Sequence, residues 1–375
     1  MQHQPSFLQI PKRRTFLPLR PILLALVALA WTPAAHATVP HPPVCANVTI
    51  ATRNVYFGTD LAPVIGAPDE TQFLLAVGTA WGDVQASNIP ARASRIAQEI
   101  ALAGPSLVGL QEVAQWWEGP SPQTLTLQYD YLQSILDSLG KLGLHYQLVK
   151  ANDDLDMTVP GVDANGNLFY VRLLDRTAMI AKSGLPPGKL ILANVQGQTF
   201  STLLTLPLPG LSTTVTVPRS WISVDATVGG VTFRFITTQL ESFYPPVNEA
   251  QGAELLTGPA ATTLPVVMAA DFNSSANGGP DDIPTYGDLI GAGFQDGWAN
   301  LHPYLVGDTC CQEADLQNVL SELYERIDLV LTDSDAASPS SIFLVGSFPW
   351  SKTRTSPPLW PSDHAGVVAT LRLTK

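Results

Sequence analysis

Short apolar runs recur along the chain, and most of them end in Gly, Pro, Asn or Asp. Runs of this kind, rich in β-branched residues and closed by turn residues, predict strands. They fall at Val48–Phe57 (VTIATRNVYF), Leu107–Leu110, 144–149, 168–173, 176–182, Leu264–Ala270 (LPVVMAA), Ile327–Thr332 and Gly366–Leu373 (GVVATLRL). The stretch from 190 to 240 is β-rich throughout, and Gly229-Gly230 marks a hairpin turn within it. Helical spacing predicts three helices. One covers Pro90–Leu102, opened by proline, with Ile96, Ile100 and Leu102 on its apolar face and Gly104-Pro105 as its stop. A second is expected over Thr124–Leu139 and a third over Asn248–Leu256. Buried strands mixed with helices, and ending in polar residues, predict an α/β protein: a layered sandwich with mixed β-sheets inside and helices outside.

The N-terminus has a different pattern. Lys12, Arg13, Arg14 and Arg20 precede the apolar run Ile22–Trp31, and Ala35-His36-Ala37 follows. A basic region, a short apolar core and small residues at a cleavage site predict a signal peptide over 1–37. The apolar run is too short to span a bilayer as a helix, and no later stretch reads as a membrane anchor. The protein is therefore expected to be exported, to the periplasm or the extracellular space. Lys12-Arg13-Arg14-Thr15-Phe16-Leu17 leaves both the twin-arginine and the general export route open. With no linker dividing it, 38–375 is expected to be a single domain.

Charge narrows the partners. The chain carries 20 Lys+Arg against 32 Asp+Glu, and removing the four basic residues of 1–37 leaves 16 against 32. Such a surface offers no basic track for nucleic acid, although a bound cation reverses the field locally. Cysteine is sparse: Cys45, Cys310 and Cys311. Pairing of Cys45 with one of the other two is expected, rather than a bridge between neighbours.

The candidate chemistry lies at strand ends. Glu112 closes the apolar run of VGLQEV, and Asp271 and Asn273 follow VVMAA. Asp328 sits between Ile327 and Leu329, where a charge is costly unless paired. Asp363-His364 precedes the last strand, and His364 is the natural partner for Asp328, since a carboxylate fixes an imidazole tautomer. Trp116-Trp117, Phe243-Tyr244 and Phe348-Pro349-Trp350 are candidates for an apolar rim, and Arg176 and Arg219 for phosphate contacts.

In order, the motifs RNVYFG, VGLQEV, RTAMIAKSG, ADFNSS, RIDLVL and SDHAGVV resemble those of the endonuclease/exonuclease/phosphatase superfamily, the DNase-I-like metal-dependent phosphoesterases. The resemblance covers 48–373. It implies a four-layered α/β sandwich with two packed mixed β-sheets and outer helices, and Mg²⁺ or Mn²⁺ as cofactor. It implies Asn54, Glu112 and Asp363 at the metal, Asp271 and Asn273 at the attacking water and the phosphate, and His364 as catalytic histidine oriented by Asp328. One position departs from the pattern. Many members carry histidine in an NTHL-like motif, and here Ile236–Glu241 reads ITTQLE, with Gln239 in the histidine's place. Glutamine hydrogen-bonds a phosphate oxygen but is neither acid nor base. Three readings stay open: a phosphodiesterase acting on nucleic acid, a sphingomyelinase-like or other phospholipid phosphodiesterase, and a non-catalytic extracellular binding protein on the same fold.

Overall fold

A computed structural model describes residues 45–278 and 282–375; the expected signal segment 1–37 lies outside the described residues. The strands are β1 (Cys45–Asn54), β2 (Leu107–Gln111), β3 (Gln115–Gly119), β4 (Thr126–Asp130), β5 (Tyr146–Val162), β6 (Leu168–Lys182), β7 (Ile191–Thr199), β8 (Leu204–Leu208) and β9 (Thr213–Val217). They continue with β10 (Ser220–Val228), β11 (Val231–Thr238), β12 (Val266–Asp271), β13 (Gln295–Asp296), β14 (Asp328–Thr332), β15 (Ala337–Val345) and β16 (Gly366–Thr374). The helices are α1 (Ala62–Ile65), α2 (Glu70–Ala86), α3 (Ile89–Ala103), α4 (Tyr131–Lys141), α5 (Pro245–Thr257), α6 (Thr285–Gly291) and α7 (Gly297–Leu301).

Two mixed sheets form the centre. The first has eight strands, in the order β15-β16-β1-β2-β6-β3-β4 with β5 also paired to β6; the second has six, β13-β14-β12-β11-β10-β7. Period-2 alternation sends neighbouring side chains into different layers. Ile50, Leu107 and Met179 face the second sheet, where they meet Ile222, Phe233, Phe235 and Val267. Their neighbours Ala51, Val108 and Ile180 pack under α3 and α4. On the second sheet, Met268, Ala270 and Leu329 turn the other way, toward Leu255 of α5 and Leu289 of α6. Helix, sheet, sheet and helix make the four layers that the motifs implied.

Helix α3 forms where expected. Asn88 caps it through Ala91 N–H, and Gly104 ends it in the left-handed region at φ 62°. Its buried face is Ile89, Ala93, Ile96, Ala97 and Ile100, but Leu102 is 87% exposed and does not belong to it. The helix expected over Thr124–Leu139 is corrected. TLQYD pairs with β3 as a strand, and the helix begins only after Asp130, whose side chain accepts from Gln133 N–H at 3.0 Å. The runs at 168–173 and 176–182 are one continuous strand, and the Gly229-Gly230 hairpin joins β10 to β11 with both glycines at positive φ. Among the described residues, no helix is long and apolar enough to cross a membrane.

Candidate active site

Strand direction gathers the polar residues at one edge. β1 and β2 run parallel, as do β11 and β12, while β14 and β16 run antiparallel to their neighbours. The C-terminal ends of the first four therefore meet the N-terminal ends of the last two. Asn54 ends β1, Glu112 follows β2, Gln239 follows β11 and Asp271 ends β12; Asp328 opens β14, and Asp363 and His364 lead into β16. Register fixes two of the encounters: Asp271 lies opposite Asp328, and Gln239 bridges to Asp271.

Two side-chain amides hold the carboxylates together. Asn54 Nδ2 donates to Glu112 Oε1 (2.9 Å) and Asp271 Oδ2 (3.0 Å). Gln239 Nε2 donates to the same two oxygens, at 2.8 and 3.3 Å. Asn54 Oδ1 is taken by Tyr56 N–H at 2.9 Å, so Asn54 presents its NH₂ rather than its oxygen to the site. Glu112 Oε2 accepts from Phe57 N–H at 3.1 Å. Glu112 has φ 60°, a left-handed conformation that non-glycine residues rarely adopt, and such strain concentrates at functional sites. Asn273, at φ 46°, fixes Asp271 Oδ1 through its backbone N–H (3.1 Å) and donates its amide to Leu240 O (2.8 Å).

The histidine pairs as expected. His364 Nδ1 lies 2.8 Å from Asp328 Oδ2, which leaves Nε2 for the cleft. Thr309 Oγ1 accepts from the backbone N–H groups of Ile327 and Asp328, and Arg53 donates to the His364 carbonyl. Asp328 Oδ1 is buried without a partner. Ser362 Oγ ties Asp363 to the end of β1 by donating to Asn54 O at 2.9 Å.

The site is overloaded with negative charge. Burial, reinforced by Asp328, pushes the Asp271 pKa up to about 7. Burial, reinforced by Glu112, pushes Asp363 up to about 6. Burial alone would depress His364, but Asp328, Asp363 and Asp271 outweigh it and hold the imidazole pKa well above its usual value. The donor set fits a hard divalent cation: carboxylate oxygens that cannot all ionise unaided, with one buried carboxylate oxygen unsatisfied. The ligand atoms of Asp271, Asp328 and His364 lie within 4.8 Å of one another.

Glu112, Gln239, Asp271, Asn273, Asp363 and His364 line a cleft of about 560 Å³. Arg219, one of the two arginines considered for phosphate contact, lines it, and so does Asp175, which the sequence did not mark. Arg219 Nη1 donates to Gln239 Oε1 at 2.7 Å, with Asp175 3.9 Å and Glu241 3.8 Å from its guanidinium. Asp175 lies within β6, buried, and only the continuity of that strand through 174–176 brings it under the argument made for Asp328. Arg176, by contrast, is spent on Asp130 and Val113 O. Of the expected rim, Phe243 lines the cleft, Trp116 is buried, and Phe348 stacks on Trp350 outside it. The cysteine expectation is corrected. Cys310 and Cys311 are bridged to each other beside the cleft, and Cys45 is exposed and free. Cys45 opens β1 and Asn54 closes it, so a full strand, roughly 30 Å, separates Cys45 from the cleft.

No family model and no curated protein matches the chain. Solved structures do. An endonuclease/exonuclease/phosphatase family protein from Bacteroides thetaiotaomicron aligns with TM-score 0.54 and 15% identity over 88% of this chain and 97% of its own. A protein of that family from Leptotrichia buccalis gives 0.53 and 14% over 86% and 99%. A mannosyl-6-phosphatase from Bacteroides thetaiotaomicron gives 0.52 and 14% over 86% and 99%. The chain thus has the endonuclease/exonuclease/phosphatase fold.

Proposed function

We propose that the protein is an exported Mg²⁺- or Mn²⁺-dependent phosphodiesterase. The observation that carries this reading is the convergence of Glu112, Asp271, Asp363 and His364 in one cleft, with buried Asp328 paired to His364, on a fold shared with a phosphatase. Glu112 and Asp363 would hold the cation, and Asn54 and Gln239 keep Glu112 in place. When bound, the cation supplies charge to polarise the phosphoryl group. Asp271, with a pKa of about 7, is suited to take a proton from the attacking water near neutral pH. Asn273 holds Asp271 from the backbone. His364, kept cationic by Asp328, offers Nε2–H to a phosphoryl or leaving-group oxygen.

Export rests on the basic and apolar pattern of 1–37. Among the cleft's charged residues, Asp60, Glu112, Asp175, Asp271 and Asp363 face only Arg219 and His364 as cations, a poor lining for a long polyanion. The test is hydrolysis of bis(p-nitrophenyl) phosphate, plasmid DNA, RNA and sphingomyelin, with Mn²⁺ and with chelator, in wild type and His364→Ala. At least one substrate should be cleaved only with the cation, and about 10²–10⁴-fold more slowly by the variant. Equal rates in all four conditions would overturn the reading.

A further inference from the structure

A second cavity opens beside the cleft. It holds about 70 Å³, and all fifteen residues lining it are apolar. That volume has room for roughly five water-sized groups in file or in cluster. Its walls come from strands whose alternate residues face inward: Leu155, Met157 and Val159 of β5, Val171 and Leu173 of β6, Val215 and Val217 of β9. Helices α1 and α2 close it with Val64, Val77 and Ala80. Neither α1–α2 nor the β8–β9 hairpin belongs to the two central sheets, so both are additions that wall this space.

The cavity adjoins the catalytic cleft. Leu61, Ile65, Leu155, Leu173 and Val217 line both. Protein interiors leave few voids of this size, and this one lies directly against the polar site, with five side chains between the two spaces. The lining selects the occupant. A nucleobase brings several polar atoms that need partners on burial. Only two side-chain donors stand in the wall. Trp116 Nε1 is spent on Phe57 O at 3.0 Å, and Trp81 Nε1 is buried with no partner. An aliphatic chain needs no partners.

We propose that the substrate is an amphiphilic phosphodiester. Its phosphate occupies the cleft, and an alkyl chain on one ester oxygen runs past Leu155, Leu173 and Val217 into the apolar cavity. The proposal rests on the phosphodiesterase reading for the cleft and names its substrate class.

Calorimetric titration with methyl-, butyl- and octylphosphonate, all below micelle-forming concentration and with Mn²⁺ present, tests it without turnover. In wild type, affinity should rise about three- to fourfold per methylene until the cavity is full. In Ala80→Phe, which fills the cavity from α2, the gain from methyl to octyl should vanish, with folding checked by circular dichroism. Flat affinity across the three phosphonates in wild type, or no binding of any, overturns the proposal without recourse to the variant. The two readings fail separately. Chain-dependent binding with no cation-dependent hydrolysis of any phosphodiester keeps the cavity's role and removes the enzyme. Hydrolysis with flat binding does the reverse.

Discussion

Gln239 is gripped from both ends. Its carbonyl oxygen takes the Arg219 guanidinium, and its NH₂ serves Glu112 and Asp271 together. A protonated histidine in that place has no acceptor for Arg219, so the amide suits the arginine that faces it. Gln239→Ala removes a donor from two buried carboxylates and an acceptor from a buried cation, a loss of about 1.5–3 kcal/mol for hydrogen bonds to charged groups. The expected result is a fall in kcat/KM of about ten- to a hundredfold with Mn²⁺ present. An unchanged kcat/KM would show that the amide takes no part in catalysis. The sequence showed that Gln239 replaces a histidine, but not what it binds, because Arg219 precedes β10 and meets Gln239 only through the register of β10 against β11. His364 and Asp328 were readable because a carboxylate inside an apolar strand demands a partner. Asp175 was not readable in this way, because Arg176 beside it supplies an apparent partner and the break at 174–175 reads as a turn between two strands. The left-handed turn at Glu112 has no sequence signature, since Glu is not a residue that favours it.

Strands were far more legible than the elements that decorate them. β1, β2, β12, β14 and β16 each set an apolar run beside a polar end, and that contrast located the site edge. Helix α2 went unread because Gly78 and Gly82 dilute its pattern, and TLQYD was absorbed into the helix that Asp130 starts. How closely the two sheets approach also lay beyond the sequence. Gly109 sets that distance on β2: a Cβ there would sit 2.0 Å from Thr237 Oγ1 and 3.0 Å from Ala269 O. Close by, Gln111 Nε2 donates to Thr237 Oγ1 at 2.9 Å, joining the sheets one residue before Glu112. Gly109→Ala should therefore push β2 away from β11, at a cost of about 1–3 kcal/mol for overpacking. The displaced Glu112 would bind the cation more weakly. Denaturant unfolding and Mn²⁺ titration should both register the change. Wild-type values in both would mean that the sheets have slack here.

At the scale of the whole molecule, the buried carboxylates make stability depend on pH and on the cation together. Burial raises Asp154 to about 6 and Asp175 to about 8, while Asp363 and Asp271 stand at about 6 and about 7. Each unfolds to a carboxylate of ordinary pKa, near 3.9. Between about pH 4 and 8 the folded chain therefore binds more protons than the unfolded one, and its stability falls as pH rises. His364 acts in the same direction at higher pH, since its raised pKa gives stability that is lost as the ring deprotonates. Despite burial, hydrogen bonds hold Asp130, Asp225 and Glu254 below the usual range, so their contribution is lost only at the acid end. A divalent cation binds the ionised carboxylates and competes with protons for them. Without metal, Tm should fall from pH 5.5 to pH 8. With Mn²⁺ at a hundredfold excess over its Kd, stability should rise by about 2.7 kcal/mol, or about 4 °C for a chain of this size. At the same Mn²⁺ concentration the rise at pH 5.5 should be smaller, and Glu112→Gln should reduce it at both. Thermal scans with chelator and with Mn²⁺ at the two pH values measure all three effects. A metal-free Tm that climbs across this window, or an Mn²⁺ shift that ignores pH, would mean that the carboxylates at the strand ends do not form one cation site.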